Sequence, residues 1–115
     1  MSGLAELGEI TDVTFADAVL KADAVVLVEF WAPWARDCSL AEPPLRVAAE
    51  SLGDAVRLVR LNVEKNPVAA VVYGVHRIPS VLVFRGGRDV DRWSKALPVQ
   101  EIVDRIRGSG DGTRT

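Results

Sequence analysis

Cysteine occurs once in this chain of 115 residues, at Cys38, and histidine once, at His76. A structural zinc site takes about four Cys or His ligands, so none can be built. No internal disulfide can form. A Ser-His-acid triad would have to use His76, and its surroundings support none. Long apolar runs are also missing: none approaches the roughly 20 residues of a membrane-spanning helix. Charge of one sign is not in excess. The formal net charge is −2, which argues against nucleic acid or an acidic membrane as the main partner. Met1 to Glu6 lacks the basic start and apolar core of a secretory signal. The expectation is a soluble, cytoplasmic monomer with neither metal nor cofactor.

What is present suits one globular domain. The length allows a single core, and a domain of this size buries roughly two-thirds of the surface its unfolded chain exposes. Hydrophobic residues make up 49% and charged residues 26%, ordinary proportions for a globular protein. No linker or internal repeat divides the chain. The expected boundaries are a single domain over 1–107 and a disordered polar tail over 108–115, since Gly108 to Thr115 is small and polar.

The chain is organised around the stretch from Val25 to Ser39. Val25 to Trp31 is an apolar run of the kind found in strands buried on both faces. One ionisable residue, Glu29, interrupts it. Left charged and alone in such a strand it would be very costly, so it must be protonated or paired. Beyond the run come Trp34, Ala35, Arg36, Asp37 and Cys38, where a polar turn opens into a helical pattern. A cysteine at a helix start is a place where thiol chemistry can occur.

Elsewhere the periodicities alternate. Glu9 to Asp12 predicts a short opening strand. A helix follows, with Phe15, Ala18, Val19 and Ala22 at helical spacing and Asp12 or Thr14 to cap it. A longer helix is predicted from Ala35 to Leu52, kinked or broken at Pro43-Pro44. Val56 to Val63 reads as a strand, and Asn66-Pro67 as the cap and first residue of a short helix ended by Gly74. Ser80 to Phe84 and Val90 to Ser94 flank the turn Arg85-Gly86-Gly87-Arg88 and predict a hairpin. Val99, Ile102, Val103 and Ile106 line a last helix. The prediction is an α/β fold: a mixed sheet of about five strands, with about four helices on both faces.

Five pieces carry a resemblance in the same order and spacing: Val19 to Asp23, Val28 to Ala32, Leu61 to Pro67, Tyr73 to Val75, and Ile78 to Phe84. Together they resemble thioredoxin from about Ile10 to Ile106. The resemblance implies the thioredoxin fold, with Pro79 as a cis-proline facing the active-site turn. The Ile78 backbone would offer polar groups to an extended partner peptide. Trp34 would be the exposed tryptophan flanking the turn, Glu29 the buried acid, and Arg60 the basic residue beside it.

The chain departs from the family in the turn. The family carries Cys-Gly-Pro-Cys, and this chain has Ala35-Arg36-Asp37-Cys38. The first cysteine is the one that attacks, and alanine has no sulfur. Cys38 matches the second, resolving cysteine. Exchange of two electrons within one chain needs both thiols, so a dithiol-disulfide reductase is not expected.

Several readings stay open. Cys38 is either an inert small core residue or a single reactive thiol working with glutathione or sensing oxidants. Asp37 opposes its thiolate and Arg36 favours it. Glu29 either forms a structural pair with Arg60 or serves as a proton acceptor. Arg36, Arg77 and Lys95 are either scattered surface charge or the rim of a cationic groove suited to an acidic peptide or to glutathione carboxylates. The function expected is a redox-inactive or redox-impaired peptide-binding module. The alternatives are monothiol exchange or redox sensing through Cys38, and an active-site Cys-to-Ala variant of a thioredoxin acting in redox homeostasis.

Overall fold

A computed structural model describes residues 8–110. Five strands form one sheet: β1 (Gly8–Ile10), β2 (Val25–Trp31), β3 (Val56–Asn62), β4 (Ser80–Arg85) and β5 (Arg88–Trp93). Their order across the sheet is β1-β3-β2-β4-β5. β3 runs parallel to both β1 and β2, whereas β4 is antiparallel to β2 and β5. The helices are α1 (Cys38–Leu52), α2 (Pro67–Val72) and α3 (Val99–Gly110). A π-helical segment, Ala16–Leu20, precedes β2. No helix among the described residues is long and apolar enough to cross a membrane.

β2 is central, and its alternation explains its unbroken apolar sequence. Val25 and Leu27 pack under α1 and α3 with Leu45, Ala48, Val81, Trp93 and Ile102. Val26, Val28 and Phe30 face the opposite side, with Phe15, Val19, Leu61, Leu82 and Phe84. A strand covered on both faces must be apolar at odd and even positions alike. Glu29 belongs to the α1 side by the same alternation and is fully buried. The β4–β5 turn places Gly86 at φ +60° and Gly87 at φ +83°, the positive pair that a two-residue hairpin of this twist requires.

Four expectations are corrected. Asp12 does not cap the segment that follows it; its carboxylate accepts the Val68 and Ala69 N–H groups at the start of α2. Asn66 does not cap α2 with its side chain, because its Oδ1 accepts the Asp12 N–H instead. Helix α1 begins at Cys38 rather than Ala35 and runs without interruption through Pro43 and Pro44. The two prolines leave the Ser39 and Leu40 carbonyls without helical donors, but both residues are exposed, so water can replace the lost bonds. Finally, α3 continues through Gly110, so Gly108–Gly110 belong to the helix. The rest of the expected tail lies outside the described residues.

Candidate functional site

The turn that joins β2 to α1 is closed by a series of short-range bonds. The Ala35 N–H donates to the Ala32 carbonyl at 3.1 Å and the Cys38 N–H to the Ala35 carbonyl at 3.2 Å. The Leu40 and Ala41 N–H groups both donate to the Asp37 carbonyl at 3.1 Å, and the helix proper starts there. Trp34 is left 62% exposed. Ala35 is half-buried, while Arg36 and Asp37 face solvent. Cys38 points inward and is 6% exposed.

A second segment enters the sheet beside the end of β2. The Ile78–Pro79 peptide bond is cis. Phe30 pairs with Ser80 across β2 and β4, and one further step of that register aligns Pro79 with Trp31. Val81 pairs with Trp93 across β4 and β5, where that pairing ends. Ile78-Pro79 therefore leads into β4 at the end of the sheet where β2 stops. Pro79 is buried and Ile78 half-buried, while His76, Arg77 and Lys95 are exposed. The Ser80 hydroxyl donates to the Arg77 carbonyl at 2.6 Å and closes the approach to β4.

Beneath the turn lies Glu29. Both carboxylate oxygens are buried and accept no hydrogen bond. Burial raises the carboxyl from 4.5 to about 7, with Glu42 adding to the rise and Arg60 and Arg46 opposing it. The Cys38 thiol is also pushed up, first by burial. A backbone hydrogen bond from Ala32 and the charge of Arg60 lower it, while Glu29 and Asp37 raise it. Arg36 is not among the charges acting on the thiol, so the expected balance between Arg36 and Asp37 does not arise. Arg36 is exposed and directed to solvent, whereas Asp37 is the adjacent residue.

Arg60 is the main correction at the site. It is the register neighbour of Glu29 across β2 and β3, yet it does not pair with it. Its guanidinium lies over the Trp31 ring, 3.7 Å from the centroid. It reaches Glu42 at 3.3 Å and Glu9 at 3.6 Å. Glu9 also accepts the Trp31 indole N–H at 2.9 Å, and Glu42 accepts Arg46 Nε at 2.9 Å. A partly solvated carboxylate holds a cation at lower desolvation cost than one in the core.

The reading of the sequence missed Glu9, Trp31, Glu42 and Arg46. One signal was available for two of them. Cys38, Glu42 and Arg46 are spaced by four residues, which places them on one helix face.

Comparison with known proteins agrees with this geometry. The Thioredoxin family model matches residues 6–108. The chain belongs to the thioredoxin family. It is 38% identical over 90 residues to Thioredoxin 1 of Nostoc sp., covering 78% of this chain and 84% of that one. It is 38% identical over 97 residues to Thioredoxin 1 of Synechococcus elongatus, covering 84% and 91%. A chloroplastic M-type thioredoxin of Chlamydomonas reinhardtii is 36% identical over 102 residues, covering 89% and 73%.

Proposed function

We propose that this thioredoxin-family chain binds an extended peptide and does not reduce it. Alanine at position 35, in a chain with one cysteine, carries this reading. A dithiol cycle needs a thiolate to open the target disulfide and a second thiol to release the product. Only the second is available, and burial raises it. A protonated thiol is a poor nucleophile, so a glutathione-linked role for Cys38 is also disfavoured.

The surface around the turn supports peptide binding. Trp34 offers an exposed ring of the kind that anchors partners. Ile78 lies two residues before Ser80, the first residue of β4, so its peptide groups can meet an extended chain. Arg36, Arg77 and Lys95 are exposed, which favours an acidic segment.

Titration with extended peptides of matched hydrophobicity and opposite charge tests this. The acidic peptide should bind most tightly, more weakly as salt rises, and Trp34→Ala should remove most of the affinity. Insulin disulfides should remain intact with the wild-type chain, with or without a thioredoxin reductase. Sustained insulin reduction, or equal affinity for acidic and basic peptides, would overturn the reading.

A further inference from the structure

One guanidinium here is surrounded by three carboxylates and engages two. Glu29 faces Arg60 directly across the β2/β3 ladder, and Glu9 faces it from β1. Glu42 approaches from α1. Three polar atoms end up buried without a hydrogen bond: both oxygens of Glu29 and Nε of Arg60. Glu29 is left without a hydrogen bond although a guanidinium faces it, so another group holds that guanidinium away.

That group is Glu42. One of its oxygens meets Arg60 at 3.3 Å and the other accepts Arg46 Nε at 2.9 Å. The second contact fixes the carboxylate from its own helix, one turn further along. We propose that Glu42 is a positioning residue that anchors Arg60 over Trp31 and so denies Glu29 the cation facing it across the sheet.

The consequence reaches Cys38. The charged groups facing this corner are Glu9 from β1, Arg60 from β3, Glu42 and Arg46 from α1, and Asp37 from the turn. With Arg60 held outward, Glu29 keeps its proton up to about pH 7, because burial without a partner favours the neutral carboxyl. The thiol then has no cation close enough to outweigh its burial. If Arg60 turned to Glu29, the carboxylate would be stabilised, and the guanidinium would lie nearer both groups.

Glu42→Ala tests the proposal, with Glu42→Gln as a second variant that keeps the side-chain volume. Two titrations are read: the Glu29 carboxyl by NMR, and Cys38 through the pH profile of iodoacetamide alkylation. Glu42→Ala should lower the Glu29 midpoint by about one unit, which is a tenfold change in its ionisation. The step in the Cys38 alkylation profile that accompanies Glu29 ionisation should move to lower pH with it. Glu42 also acts on Glu29 through its own charge, so the same substitution is repeated in an Arg60→Met background. Arg60→Gln replaces it should the methionine variant not fold. If Glu42 acts through Arg60, most of the shift disappears there. An unmoved midpoint in Glu42→Ala, or an equal shift with and without Arg60, would overturn the proposal. Neither titration depends on peptide binding, so the proposed function and this role can fail separately.

Discussion

Asp12 and Ala69 are joined across 57 positions: an Asp12 carboxylate oxygen accepts the Ala69 backbone N–H at 2.9 Å. The other oxygen takes the Val68 N–H at 3.0 Å. Helix α2 is only six residues long and cannot persist on local propensity. The carboxylate satisfies two of its free N–H groups and complements the positive end of the helix. It also ties the loop after β1 to the segment leading into Ile78-Pro79. Asp12→Ala should cost about 1–2 kcal/mol, the upper half of the range for lost N-terminal caps. Asp12→Asn should cost less, since the amide oxygen still accepts. Urea unfolding at pH 7 distinguishes the three chains by their midpoints.

The Glu29 carboxyl makes stability depend on pH in a defined direction. Folding raises it from 4.5 to about 7. Between these values the folded chain binds more protons than the unfolded one. Its contribution is therefore fully present below about pH 4.5 and is lost as pH rises through 7. A rise of this size corresponds to about 3 kcal/mol. Glu29→Gln keeps the shape and removes the ionisation. The variant should be more stable than wild type at pH 8 by a few kcal/mol, with the difference closing toward pH 5. Chemical denaturation of both chains across pH 5–8 checks this. Parallel curves would mean that Glu29 ionises no differently in the folded chain.

The same residues show how far the sequence could be read. β2 was legible because six consecutive buried positions, Val25 to Phe30, leave a run that no half-exposed strand carries. The hairpin was legible because Gly86 and Gly87 supply two positive φ angles. The cap on α2 was not, since its donors and acceptor lie 56 and 57 positions apart. Local rules therefore assigned it to Asn66. The prolines of α1 were judged by their cost inside a helix, but that cost depends on whether the freed carbonyls reach water. The resemblance placed Arg60 beside Glu29, and the β2/β3 register pairs the two positions. The Arg60 side-chain direction depended on Glu9 from β1 and Glu42 from α1, and no window of sequence holds those three residues together.

Ala35→Cys separates a missing sulfur atom from wider loss of function. The new thiol would occupy a half-buried position three residues before Cys38, whose N–H donates to the carbonyl of residue 35. It would sit at the start of α1, where free N–H groups and the helix dipole favour a thiolate. That thiolate attacks a target disulfide and forms a mixed disulfide, releasing one target thiolate. Cys38 then attacks the sulfur at position 35, forms the intrachain disulfide and releases the second target thiolate. The second step is expected to limit the rate, because burial raises the Cys38 thiol and the Glu29 carboxyl beside it ionises only near 7. With a dithiol such as dithiothreitol to reopen the intrachain disulfide, insulin reduction should therefore appear in Ala35→Cys and accelerate between pH 6 and 8. Adding Cys38→Ser should stop turnover and leave the mixed disulfide visible by intact mass. A silent Ala35→Cys chain that still forms the mixed disulfide would place the defect in the release step. One that forms no adduct would place it in the turn itself, which carries Arg36 and Asp37.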